Sequence, residues 1–422
     1  MLALLLVLQA ASGDSLPRVT LREALQRAAQ LDPDYVAALG QVDNAVWARR
    51  NAFAVFVLPS VTVGTQVQWQ NPPGFSVVPL DKVVVASLSA SYDLFTGGQK
   101  IAELTRSAAG LDSAHAGELA VRFATAMQTE STYYAVLSGA ELDRVARDRL
   151  RRAREQLAVA RARVVSGAAV STDSLNLRLE MTRAQVGQLE QESSLRLARL
   201  QLGRRVGAEG PVDAAPLDTT PAPELPLSLA EAITQAAVQG PQYRIAAARE
   251  RAASASYRGQ LGSYLPKATL TFNAFAFDTT FYPRFFKQTS FVLNVSLPLW
   301  NNGQRELALS RARVNRDVAR AIRNDMDRGV RRDVAAAYDR YVTSRASAAL
   351  AVEGLAIARE AFRVQQNRYS AGATTILDLL EAQVNLSQAE ATLVQAHYAT
   401  RLALAGLESI LGKRLFTDKG TP

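Results

Sequence analysis

The chain has 422 residues, 48 Lys and Arg against 39 Asp and Glu, a net charge of +9, and 48% hydrophobic residues. It has no cysteine, which excludes disulfides, thiolate metal sites and cysteine nucleophiles. The positive charge does not point to nucleic acid. Arg144, Arg147, Arg149, Arg151, Arg152 and Arg154 are interleaved with Glu141, Asp143, Asp148 and Glu155, the pattern of a solvated helix face.

Residues 1–12 carry the apolar run Leu2 to Leu8 and the small residues Ala10, Ala11 and Ser12, which suits a secretory signal without the usual basic start. Residues 20–57 are alanine-rich and helical in period, ending at Pro59. Strands follow at about 60–70 and 83–95. Val61, Val63, Val67 and Trp69 alternate with Thr62, Gln66, Gln68 and Gln70, and Val84 to Leu94 alternate with Ser87, Ser89, Ser91 and Asp93.

From Gln99 to about Arg163 there is no proline, and ~64 residues of helix would run ~95 Å. A break at Gly167 precedes a second helix with the series Leu177, Met181, Ala184, Gln188, Gln191, Leu195, Ala198 and Leu202. Residues 210–227 hold five of the sixteen prolines and read as a linker.

The same order then recurs about 205 to 209 residues later, so that 20–209 and 228–412 form two structural repeats, followed by a short tail at 413–422. Thr20 and Glu23 match Ser228 and Glu231, both capping-box spacings. Leu58-Pro59-Ser60 matches Leu265-Pro266-Lys267, and Tyr92 to Gln99 matches Leu297 to Gln304. The second pair of strands is expected at about 267–277 and 290–300. The last helix carries a regular heptad, with Leu379, Leu386, Leu393, Thr400 and Leu407 in one column and Ala382, Ala389, Ala396, Ala403 and Ile410 in the other. Val334, Tyr341, Ala348, Leu355 and Phe362 repeat every seven residues in the helix before it, so the pair is expected to pack as an antiparallel coiled coil across a break at Gly372.

No apolar run after residue 12 approaches the ~20 residues of a spanning helix, so a membrane crossing would fall to the strands. Their alternation fits an outer-membrane barrel, and also one face of an ordinary soluble sheet. Trp69, Tyr92, Phe95 and Trp300 at the strand ends suit an interfacial belt. Four strands do not close a barrel, so the membrane reading requires several chains.

Two duplicated strings carry a resemblance. Tyr92-Asp93-Leu94-Phe95-Thr96-Gly97-Gly98-Gln99, with its counterpart around Asn302 and Gly303, is similar to the strand-to-helix turn of the TolC-like outer membrane efflux proteins. Arg368-Tyr369-Ser370-Ala371-Gly372, with Thr375 to Gln383, resembles their helix-tip signature. The resemblance covers about Leu21 to Gly412. It implies a mainly α fold with a membrane β-barrel portion: long antiparallel coiled-coil helices forming an α-barrel, and four strands from each protomer of a homotrimer forming a twelve-stranded barrel in outer-membrane lipid. It further implies a passive exit duct for efflux or type I secretion, working with a periplasmic adaptor and an inner-membrane transporter.

Carried over by position, Asp173, Asp378 and Glu381 fall near the periplasmic entrance of the pore, and Tyr369 at the tip aromatic. Where some members have a basic residue that ties the tips together, this chain has Thr374, so no ion-paired latch is implied there. Asp173 and Asp378 equally suit helix N-termini, and both roles stay open. A soluble periplasmic coiled-coil scaffold or adaptor is the competing reading. Catalysis finds no support: His115 and His397 lie in alanine-rich helical stretches without a partner arrangement, and no phosphate loop, zinc spacing or cofactor motif occurs.

Overall fold

The computed structural model describes residues 16–69, 82–167, 170–217, 223–278 and 286–416. The signal-like segment 1–12 and the end of the tail lie outside them. The described residues are 74% helical, and the chain divides into two compact units, each drawing on both halves of the sequence.

The first unit comprises residues 1–37, 119–236 and 331–422. Strand β1 (Arg18–Val19) leads into α1 (Leu21–Leu31), where Thr20 Oγ1 accepts from the Glu23 amide at 3.3 Å. The helix expected over 20–57 is broken at Asp32, whose Oδ1 accepts from the amides of Asp34 and Tyr35 and starts α2 (Pro33–Val57). Proline at the first helical position suits this restart, because its missing N–H would have had no partner there.

The long helices are α3 (Gln99–Val165), α4 (Ser171–Arg205), α7 (Gln304–Ser370) and α8 (Ile376–Leu411), with α5 (Leu229–Gln239) and α6 (Pro241–Leu261) between them. In α8 the heptad columns face inward: Leu379, Leu386, Thr400 and Leu407 are buried, as are Ala382 and Ala403. Across the seam on α7, Val334, Tyr341, Leu355 and Phe362 are buried too. Leu157 and Ala160 of α3 and Leu177 of α4 join Leu355, Phe362, Leu379 and Leu386 in one core.

A second core gathers Val19, Ala24, Tyr133, Leu195, Leu202 and Val212. Here the proline-rich stretch departs from a plain connector. Its strand β4 (Asp213–Ala214) pairs in parallel with β1, and the buried Tyr133 hydroxyl is shared between the carbonyls of Ala215 at 2.7 Å and Val19 at 3.2 Å. Farther along, the Pro223 carbonyl accepts from the Tyr341 hydroxyl at 2.6 Å.

The second unit comprises residues 38–118 and 237–330. Its centre is an antiparallel sheet of β2 (Ser60–Trp69), β3 (Lys82–Phe95), β5 (Lys267–Asp278) and β6 (Phe286–Ser296), in the order β2-β3-β5-β6. Strand β6 lies four residues earlier than the alternation suggests. Pro298, which has no N–H to donate to a ladder, stands just beyond its end.

A β-bulge between Asp93 and Phe95 precedes the turn into α3. That turn needs its glycine. Gly97 has φ +62°, and a Cβ on it would meet the Gly262 carbonyl oxygen at 2.2 Å, so two backbones touch where no side chain fits. Its counterpart before α7 uses Asn302 at φ +58° followed by Gly303, asparagine being among the few side-chain-bearing residues that tolerate this region.

Candidate functional site

At the hairpin ends of the first unit, α3, α4, α7 and α8 frame an open cleft lined by Arg163, Asp173, Tyr369, Thr374, Thr375 and Ile376, among others. Gly167 and Gly372 turn the chain there with φ of +75° and +76°.

The two tip aspartates, equivalent in the repeat, do different things. Asp378 is the third residue of α8 and completes a capping box. Its Oδ2 accepts from the Thr375 amide at 3.1 Å and the hydroxyls of Thr374 and Thr375 at 2.7 Å, while its own amide donates to Thr375 Oγ1. These donors, the Thr375 hydroxyl foremost, hold its carboxyl below the usual aspartate range. Asp173 has no such cap: α4 starts at Ser171 behind Val170, which offers no side-chain cap bond. The half-buried Asp173 instead acts on Tyr369, whose phenol is pushed up by burial first and by the Asp173 charge second, with Arg163 opposing. Glu381 is exposed one turn beyond Asp378.

Tyr369 is 5% exposed, and its hydroxyl meets no partner among the described residues. Arg163 sits 4.9 Å from the Tyr369 ring centroid and donates to the Tyr369 carbonyl, so α3 and α7 are tied at the tip by a cation on a ring and a charge-assisted hydrogen bond. Sequence reasoning did not single out Arg163. The repeat held the signal, because Arg163 aligns with Arg368. The two diverge: Arg368 reaches the Ala373 carbonyl of its own hairpin at 3.4 Å, whereas Arg163 crosses to the other hairpin.

Further ties were equally hidden. Arg152 of α3 pairs with Glu390 of α8 at 3.0 Å, with both side chains 14% exposed. Arg414 joins Glu130 at 2.6 Å and Glu408 at 2.7 Å, both carboxylates buried. One guanidinium shared by two carboxylates leaves a negative charge under-compensated, and burial raises the Glu130 carboxyl. Each partner lies in a different hairpin or past a helix end, so local patterning does not reveal the pairing. His397 is half-buried and held low by desolvation. Among the described residues no cluster of His, Asp or Glu is placed to hold a metal.

In the second unit, cross-strand register sorts the sheet into two faces. One carries Val61 and Val63 of β2, Leu88 and Ala90 of β3, Leu270 and Phe272 of β5, and Phe291 and Leu293 of β6. The other carries Thr62 and Gln66, Ser87 and Ser89, Thr271 and Asn273, and Ser290 and Asn294 in the same strands. Val63, Phe291, Leu293 and Val295 are 60 to 79% exposed, a continuous apolar surface on an antiparallel sheet. Among the described residues, strands β2 and β6 each pair on one side alone.

The four aromatics do not form one class. Trp69 and Trp300 are both 73% exposed, although Trp300 lies beyond the end of β6, and Phe95 ends β3 exposed. Tyr92 is anchored: its hydroxyl donates to the Phe56 carbonyl at 2.8 Å, and the Lys100 ammonium sits 4.0 Å from its ring centroid. Among the described residues no helix is long and apolar enough to cross a membrane.

Comparison with known proteins agrees with this architecture. The model of the family described as outer membrane efflux protein matches twice, at residues 24–208 and 232–413. Pyoverdine export outer membrane protein OpmQ of Pseudomonas putida is 26% identical over 80% of this chain and 72% of its own length. Protein CyaE of Bordetella pertussis is 30% identical over 46% of this chain, a match spanning 41% of CyaE, well under half its length. Among solved structures, CusC superposes with a TM-score of 0.80 over 96% of both chains at 17% identity. The outer membrane protein VceC of Vibrio cholerae gives 0.78 over 94% of this chain and 97% of its own at 18% identity. At such identities the likeness is one of fold.

Proposed function

The chain belongs to the outer membrane efflux protein family, and from that premise we propose that it is the passive outer-membrane exit duct of a tripartite efflux or type I secretion system. In this reading it forms a homotrimer whose three four-stranded sheets close a twelve-stranded barrel, while the long helices make the periplasmic part of the conduit. A periplasmic adaptor and an inner-membrane transporter supply the opening and the energy. The export protein OpmQ among its relatives supports this direction of traffic.

The carrying observation is the sheet. Among the described residues it has one apolar exposed face, one hydroxyl and amide face, and two strands with an unpaired edge. Unpaired backbone groups are not tolerated in hydrocarbon, so a sheet that enters lipid must be closed by other copies. The long helices have no apolar stretch to replace it.

Fractionation tests this directly. The mature chain is expected in the outer membrane as a detergent-resistant trimer. A chain that stays soluble and monomeric after secretion would be the scaffold instead.

At the tip, Asp378 and Glu381 are proposed as pore-entrance carboxylates, each repeated threefold. The capping box does not remove Asp378 from that role, because the carboxylate stays exposed and ionised. The double variant Asp378→Asn/Glu381→Gln in a planar bilayer is expected to lose most of the cation preference. Unchanged selectivity would leave Asp378 a cap alone.

A further inference from the structure

The division of the sheet into an apolar and a polar face does not hold to the ends of β5 and β6. Over most of their length the polar face carries Thr269, Thr271 and Asn273 against Asn294, Val292 and Ser290. In the last residues toward the β5–β6 connection it carries Phe275, across from Ser87 of β3 and Gln288 of β6, and Phe277, across from Val85 of β3. At this level the opposite face of β5 and β6 has changed in the other direction. Phe291 and Leu293 give way to Thr289 and Lys287, and Lys287 lies across from Ala276, between the two phenylalanines.

The inversion has a physical reading. A lysine on the lipid side costs ~2–4 kcal/mol at the bilayer midplane and little at the interface. Lys287 therefore sets this level at the headgroups, past the hydrocarbon. Phe275 and Phe277 face away from lipid, on the side that elsewhere carries hydroxyls and amides. They are 40% and 42% exposed, so the sheet itself does not bury them.

We propose that Phe275 and Phe277, with Val85 between their strand and β2, form an apolar collar at the outer end of the lumen. Repeated three times, it restricts hydrated ions and makes contact with flat apolar portions of departing cargo. The proposal rests on the exit-duct reading, since it needs a water-filled lumen on the hydroxyl face. Its physics is that of a hydrophobic constriction, which impedes ions by dewetting while offering ring faces to aromatic groups.

The test uses the purified trimer in a planar lipid bilayer, with tetraphenylphosphonium and tetraethylammonium added from the side of the strand connections. Tetraphenylphosphonium is expected to block the native channel at lower concentration than tetraethylammonium. In Phe275→Ser/Phe277→Ser the block should weaken about tenfold and the open conductance rise about twofold, as expected when a dewetted constriction is made polar. Phe275→Leu/Phe277→Leu, which keeps the apolar lining without the rings, should keep the low conductance and lose the preference for the phenyl cation. Equal block of native and serine channels, with unchanged conductance, would overturn the collar while leaving the duct intact. Absence of any channel from a well-folded native protein would overturn the duct reading and the collar with it.

Discussion

Tyr369 is buried at the helix tips with a hydroxyl that finds no partner among the described residues, while Arg163 lies against its ring and holds its carbonyl. Burying an unpartnered hydroxyl is unfavourable, so Tyr369→Phe is expected to leave the thermal unfolding of the monomeric chain unchanged or to raise its stability by up to about 1 kcal/mol. Arg163→Ala should loosen the tips, read as faster hydrogen exchange at the start of α8. A stability loss in Tyr369→Phe that appears in the trimer alone would show the hydroxyl bonded to a neighbouring protomer. The Glu130 carboxyl, raised by burial, carries the opposite kind of signal. A carboxyl whose folded value lies above its unfolded one favours the fold below the ordinary glutamate range, near ~4.3, and that contribution is lost as pH climbs through the raised value. Unfolding followed across that window should show native stability falling, and Glu130→Gln should flatten the fall. A steeper decline in the variant would mean that the Arg414 pair outweighs the burial.

Among the elements, those built by periodicity were legible. The inward columns of α8 and the partners Val334, Tyr341 and Phe362 on α7 follow from heptad spacing, because packing along a helix pair repeats with the sequence. The alternating strands followed in the same way from the period of two. What could not be read were elements decided by single residues or by distant ones. The break at Asp32 depends on a side chain capping the next helix, and the β1–β4 pair joins segments that have no pattern of their own. The candidate site was legible in part: Asp378 and Tyr369 come from the tip motif, whereas Arg163 acts across hairpins and shows its role only in three dimensions. The strand-to-helix turn gives the element-level prediction. Gly262→Ala places a Cβ at 2.2 Å from the Gly97 carbonyl oxygen, so one backbone must move, and the trimer yield should fall sharply. Gly110→Ala, on an open part of α3 where nothing lies within 4 Å, is the control and should be neutral or slightly stabilising.

For the whole molecule, the two faces of the sheet make opposite demands on substitutions one residue apart. Leu293→Arg puts a cation on the apolar face, which costs ~2–4 kcal/mol when that level lies near the bilayer centre, and should abolish stable insertion. Asn294→Arg on the hydroxyl face should still give a detergent-resistant trimer, with altered ion selectivity. Equal tolerance of both would remove the lipid-facing assignment. A different consequence belongs to the clasp around Tyr133. Arg18 pairs with Asp213, and the Tyr133 hydroxyl bridges the carbonyls of Val19 and Ala215. Seen as a sequence of events in time, the first strand has no partner until just over half of the chain is present. Contacts of such long separation form late, because loop closure is entropically costly before any packing offsets it. The N-terminal segment is therefore expected to pair after α3 and α4 have packed, so that in refolding its protection from proteolysis should mark completion of the first half.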